Sequence, residues 1–167
     1  NKALNLSFEQ LDKLFTEGKE LGIYFYIMTG GEPLVRKKDI LRLAEKHDDC
    51  VFMIFTNGTL IDQQFCDDLC RLGNIVPTIS VEGFGDATDG RRGKGSWKDI
   101  MRAMDLMKLN KVPFGFSTCF TTANCDSVLS DKFIDLMIDK GAFFSWYFTF
   151  MPVGCGTDTS LMANPDL

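Results

Sequence analysis

Ile23-Tyr24-Phe25-Tyr26-Ile27-Met28-Thr29-Gly30-Gly31-Glu32-Pro33 is a short, aromatic-rich apolar run closed by two glycines, an acid and a proline. A strand buried on both faces has this composition. Upstream, Phe8, Leu11, Leu14, Phe15 and Leu21 recur at helical spacing, with Ser7 placed to cap the helix and Gly22 to stop it. Downstream, the alternation repeats. Helices are predicted near 37–47, 62–72, 97–110 and 131–140, and they lead into the apolar runs 51–55, 75–81, 114–120 and 143–150. Five buried strands alternating with helices require a parallel sheet with helical crossovers, so the fold class is α/β. Periodicity does not separate an open doubly wound sheet from part of a β/α barrel. Both architectures collect their chemistry at the C-terminal ends of the strands.

The composition fits one globular domain: 167 residues, 45% hydrophobic, with 18 basic and 23 acidic side chains giving a net charge of -5. The basic residues are scattered, which removes the electrostatic footprint of a duplex-binding protein, and there is no nucleic-acid signal. No apolar run reaches the roughly 18–20 residues needed to span a bilayer, and the N-terminus lacks a signal-peptide pattern, so a cytoplasmic protein without membrane partners is expected. The six cysteines are irregularly spaced in a domain large enough to need no staples, which favours free thiols. An N-terminal Asn1 and a final Ala163-Asn164-Pro165-Asp166-Leu167, the start of another helix, suggest a piece cut at both ends.

The strand ends carry the candidate chemistry. At the first, Gly30 and Gly31 let backbone approach a ligand, and Glu32 is an acid suited to a cationic group such as an amine, or simply the start of the next helix. The second ends in Thr56-Asn57-Gly58-Thr59, which offers hydroxyl and amide groups. In the third, Ser80 and Glu82 stand two apart and so point to the same side. The following segment from Thr88 to Trp97 is expected to be a long basic loop, solvated or cradling an anion at the next helix; it lacks the Walker A spacing. No Rossmann Gly-x-Gly-x-x-Gly follows the first strand. Met151-Pro152-Val153-Gly154 closes the fifth strand with apolar surface suited to a flat ring or to core packing. The lone histidine, His47, ends a helix and is expected to be structural.

As an ordered set, Gly30-Gly31-Glu32-Pro33, Thr56-Asn57-Gly58, Ser80-Val81-Glu82-Gly83, Arg92-Gly93 with Gly95-Ser96-Trp97, and Met151-Pro152-Val153-Gly154 resemble the radical S-adenosylmethionine (radical SAM) superfamily, most closely members with a cysteine-rich SPASM-type extension. The resemblance covers nearly the whole chain, 1–167. It implies a partial (β/α)6 barrel, here truncated at both ends, in which a Cys-x-x-x-Cys-x-x-Cys loop holds a 4Fe–4S cluster. One electron from that cluster cleaves SAM to methionine and a 5′-deoxyadenosyl radical that abstracts hydrogen from substrate. By the same resemblance Gly30, Gly31 and Glu32 meet the methionine amino group, and Pro33 belongs to the same cofactor-binding motif. Thr56, Asn57, Ser80 and Glu82 lie near methionine and ribose, and Arg92 meets the carboxylate. Met151, Pro152 and Val153 border adenine, with Ser117 and Thr118 as further ribose candidates.

The chain departs from the family pattern in lacking the three-cysteine loop and a strand before the first helix, which the resemblance places just before Asn1. Cys66 and Cys70 have a tempting spacing, but Gly73 stands at the third position, so no metal ligands are assigned; Cys125 and Cys155 are weak candidates for auxiliary ligation. The isolated chain is expected to be inactive and to self-associate through the open edge of its first strand. The substrate is left open, with peptide modification and cofactor maturation as candidates, and a one-electron reductant such as flavodoxin or ferredoxin is the expected partner. The alternatives are a cluster-free β/α-barrel enzyme that binds a phosphorylated metabolite through Gly90–Ser96 with Glu32 or Glu82 as base, and a non-catalytic domain with a SAM-like pocket.

Overall fold

The computed structural model describes residues 5–154 and 158–163. Along the chain run α1 (Phe8–Glu20), β1 (Phe25–Met28), a 3-10 turn (Pro33–Arg36), α2 (Lys37–Lys46), β2 (Val51–Thr56), α3 (Gln63–Leu72) and β3 (Ile75–Ser80). They are followed by α4 (Gly85–Arg92), α5 (Ser96–Leu109), β4 (Gly115–Phe120), α6 (Cys125–Val128), α7 (Asp131–Asp139), β5 (Ser145–Thr149) and a 3-10 turn (Thr159–Leu161). Helix starts are set locally. Ser7 and Gln10 form a reciprocal capping box on α1, Asp62 accepts from Phe65 N on α3, and Gly73 ends α3 in the left-handed region at φ 74°.

All four strand pairs are parallel and the spatial order is β1-β2-β3-β4-β5. That order resolves the ambiguity left by periodicity. A doubly wound sheet reverses direction at a switch point, whereas here every crossover steps the same way, as in a barrel. The sheet is a curled half-barrel. Its convex face meets the helices through Phe52, Ile54, Ile79 and Phe116, and Phe65, Phe114 and Phe133 complete a continuous core. Each such buried ring contributes roughly 1.5–3 kcal/mol.

The strands are not all buried on both faces as expected. The concave-side Phe25 and Ile27 of β1 and Trp146 and Phe148 of β5 stay between a third and a half exposed. Helices cover only the convex face, and the edge strands lack a neighbour on one side among the described residues. The expected long loop from Thr88 is also corrected: its first half completes α4, which sequence reading missed, as it missed the single turn of α6. His47 caps the C-terminus of α2, buried against Phe15, with Nε2 3.0 Å from Asp12 Oδ1, which fits its structural reading. Among the described residues no helix is long and apolar enough to cross a membrane.

Candidate active site

At the end of β1 the chain turns through Gly30, whose φ of 131° suits only glycine, and Glu32 becomes the cap of the 3-10 turn. Its carboxylate is already engaged. Glu32 Oε1 accepts from Leu34 N at 3.0 Å and from Thr56 Oγ1 at 2.7 Å, while Oε2 accepts from Asn57 N at 2.8 Å. The acid therefore ties the β1 turn to the tip of β2. Thr56 is buried, and its hydroxyl also accepts from Gly58 N at 3.2 Å.

The strand ends surround a cleft of about 380 Å³ on the concave face, within the size range of small-molecule sites. Ser80 and Ser117 stand level on β3 and β4 and both line it, their hydroxyl oxygens 3.3 Å apart. Beside them Glu82 is 1% exposed, which makes its partners obligatory. Arg92 Nη2 donates to Oε1, and Cys119 N donates to Oε2 at 3.1 Å. The Glu82 backbone is fixed in turn. Its N–H donates to Thr88 Oγ1 at 3.1 Å and its carbonyl accepts from Asn124 Nδ2 at 3.1 Å. Gly83 is required at the next position, since a Cβ there would come within 2.6 Å of Ser127 Oγ on α6. Glu82 is thus covered by Arg92, which remains partly exposed at the cleft wall.

The segment expected to cradle an anion has its own acid. Asp89 on α4 accepts from Trp97 N at 2.7 Å and Gly95 N at 2.9 Å, and these amides hold its carboxyl below the usual range. Two of the amides that a phosphate at the start of α5 would use, Gly95 N and Trp97 N, are therefore taken by Asp89.

Of the sequence candidates, Ser80, Glu82, Arg92 and Ser117 converge on the cleft. Asn57 lies in an adjoining polar recess with Thr59, Arg91, Arg92 and Ser96. Gly30, Gly31, Glu32 and Pro33 form the turn after Thr29, which does line the cleft. Thr56 is spent on Glu32. Thr118 is buried and its hydroxyl donates to Val81 O, so it does not join Ser117 in the cleft. Alternation along β4 explains why: neighbours point to opposite faces. Met151 and Val153 follow β5 as largely exposed side chains flanking Pro152.

Sequence reading did not single out Ile27, Thr29, Phe55, Cys119, Trp146 and Phe148 in the cleft wall, and it held Arg91 only within the basic Gly90–Ser96 segment of the phosphate alternative. The signal for Cys119 was available, two positions beyond Ser117. Cys66 is fully buried on α3 and burial pushes its thiol up to about 11, while Cys125 is buried at the start of α6 and Cys155 lies outside the described residues. Among the described residues no three His, Cys, Asp or Glu side chains gather as a metal site.

The family model of the radical SAM superfamily matches residues 1–129. The chain belongs to the radical SAM superfamily. It is similar to the GTP 3',8-cyclase of Campylobacter lari, 31% identical over 136 residues that cover 79% of this chain and 41% of the relative. Among solved structures it shares its fold with Streptococcus suis SuiB, at a TM-score of 0.78 and 16% identity over 92% of this chain and 36% of that one. It also resembles anSMEcpe with bound AdoMet and the Cp18Cys peptide, at a TM-score of 0.68 and 20% identity over 85% and 43% of the two chains. This radical SAM chain thus spans less than half of each of these proteins. The half-barrel is the partial radical SAM barrel anticipated from the strand-end motifs.

Proposed function

We propose that this chain is the SAM-binding core of a radical SAM enzyme. The observation that carries the reading is the convergence of Ser80, Ser117 and the Glu82-held guanidinium of Arg92 on one cleft at the C-terminal ends of the strands. The donor set fits SAM. Arg92 is a fork for the carboxylate, the paired serine hydroxyls suit carboxylate or ribose oxygens, and the carbonyl-rich turn from Thr29 to Gly31 approaches the amino group without a side chain in the way. Glu32 contributes by fixing that turn. Met151–Val153, just beyond β5, are proposed to border adenine with exposed apolar surface. Bound SAM supplies, on one-electron reduction, a 5′-deoxyadenosyl radical for hydrogen abstraction.

The described residues do not fit a 4Fe–4S cluster, for the reason given above. The cluster ligands are proposed to lie upstream of Asn1, the isolated chain to be inactive, and flavodoxin or ferredoxin to serve as reductant. The solved neighbours with bound peptide support peptide modification, and the curated relatives named for cofactor synthesis support cofactor maturation. The test is anaerobic iron and sulfide reconstitution of the full-length protein, followed by low-temperature EPR after dithionite with and without SAM. A reduced 4Fe–4S signal that changes on adding SAM, together with 5′-deoxyadenosine, is the expected result. No cluster would leave a non-catalytic binding domain as the better reading.

A further inference from the structure

The charged side chains lining the cleft are Glu82, Arg91 and Arg92. Glu82 is consumed by Arg92 and by the Cys119 amide. Arg91 is different. Its Nη1 donates to the Cys119 carbonyl at 3.1 Å and stands 3.7 Å from Glu82 Oε2, and the side chain is 40% exposed. With two guanidiniums and one carboxylate, the cleft carries a net positive charge in a protein whose overall charge is -5. The same cleft has an aromatic wall. Phe55, Trp146 and Phe148 pack edge to face or tilted with centroids 5.7–6.0 Å apart. Trp146 and Phe148 keep 37% and 43% of their surface open to solvent. Rings held rigid by one another yet exposed beside two guanidiniums that share one carboxylate form a surface for a planar or apolar body bearing an anionic group.

We infer that Arg91 is a substrate-binding residue, and that the substrate class is an organic anion: a carboxylate or phosphate on Arg91, with the attached ring or apolar body against Trp146 and Phe148. The inference rests on the SAM reading of this cleft only in that Arg92 takes the carboxylate of SAM and leaves Arg91 for a second anion. Arg91 is suited to that task because Nη1 is anchored on the Cys119 carbonyl while the side chain stays 40% exposed at the cleft wall, and a guanidinium has further donors for an anion.

The test uses ¹⁵N-labelled chain and three probes of common shape: phenyl phosphate, phenylacetate and benzyl alcohol. Both anions are expected to shift the Trp146 indole N–H and leave that of Trp97 unmoved, with benzyl alcohol binding more weakly. Arg91→Gln is expected to weaken the anions about tenfold, the size of one charge-assisted hydrogen bond at a half-exposed site, and to leave benzyl alcohol unchanged. Arg91→Lys, which keeps the charge, should recover most of the loss and guards against a merely misfolded variant. Preference for phenyl phosphate or for phenylacetate assigns the anion as phosphate or carboxylate. Equal anion binding by Arg91→Gln, or displacement of phenyl phosphate by SAM, would overturn the inference, the latter because Arg91 would then serve SAM itself. A separate titration with SAM, read at the Ser80 and Ser117 amides, distinguishes failure of the SAM reading: no shift there, with Arg91-dependent anion binding intact, removes the first and keeps the second.

Discussion

Replacing Glu32 by Ala tests whether this acid is a brace between strand ends. The carboxylate accepts three hydrogen bonds at 2.7–3.0 Å, from Leu34 N, Thr56 Oγ1 and Asn57 N. Charge-assisted bonds of this kind are worth about 1.5–3 kcal/mol each when shielded. Glu32 is only half-buried, so water replaces part of the loss at the two amides, but Thr56 is 1% exposed and its hydroxyl is left without an acceptor. A net destabilisation of about 3 kcal/mol follows. For a chain of 167 residues, at about 2–4 °C per kcal/mol, that lowers Tm by about 6–12 °C. Urea unfolding followed by far-UV circular dichroism measures the free energy, with Glu32→Gln expected at about half the loss because one acceptor oxygen survives. The double-mutant cycle with Thr56→Val should show a coupling of about 1 kcal/mol. A loss below about 0.5 kcal/mol, or strict additivity with Thr56→Val, would refute the brace and return Glu32 to a role exerted only on a ligand.

Asn74→Ala should cost about 2–4 kcal/mol in the same assay, because the buried Asn74 amide donates to the carbonyls of Ala44, His47 and Cys50 at 2.9–3.3 Å, and an unchanged urea midpoint would count against this. Cys66 should resist iodoacetamide at pH 8 while exposed Cys70 is labelled, as peptide mass mapping would show; since the Cys66 thiol rises from 9.0 to about 11, the unfolded chain loses its proton first and stability falls between those pH values. Asp89, with its carboxyl held low by the Trp97 and Gly95 amides, contributes stability at neutral pH that is lost as pH falls through its native value, and Asp89→Asn should flatten that acid limb of the stability curve. We propose that the β1 edge, with half-exposed Phe25 and Ile27 beside an apolar groove formed with α1 and α2, drives self-association; sedimentation velocity should show larger species as concentration rises and fewer with Phe25→Lys, and a monodisperse monomer at high concentration would count against it.

The alternation of apolar runs and amphipathic helices was legible because it is local, set by periodicity and by caps such as Ser7 and Asp62. The exposure of β1 and β5 was not. An apolar strand flanked by helices in sequence looks the same whether its second face meets another layer or lines a concave surface, and only the stepwise strand order decides between them. The helix α4 was hidden by Gly85 and Gly90, residues that lower helix propensity and mimic loop composition. At the site, Ser80 and Glu82 were found by strand alternation, and the same rule extended from Ser117 reaches Cys119 while excluding Thr118. Glu32 shows the limit of such local rules. Its turn is written in four adjacent residues, but its partners Thr56 and Asn57 lie 24 and 25 positions away.

Arg91 and Arg92 carry the argument one step further. Adjacent in a basic stretch, they are equivalent as sequence, and the family pattern attaches meaning to Arg92 alone. The last turn of α4 separates them by aiming Arg92 at the buried Glu82 carboxylate and Arg91 at a backbone carbonyl of β4. A guanidinium bound to a buried acid has a fixed position and a compensated charge, so it can orient a ligand without dominating the local field. Arg91, bound to a carbonyl and 3.7 Å from the other oxygen of the same carboxylate, is held by its anchor but only partly compensated in charge. The first arrangement suits recognition of a molecule that is itself zwitterionic, as the methionine end of SAM is, and the second suits capture of a net anion. The division of labour proposed for the two residues therefore follows from which partner each was given by the fold, and Glu82→Gln, which removes the carboxylate nearest to both, should weaken SAM binding while anion binding at Arg91 is kept or strengthened.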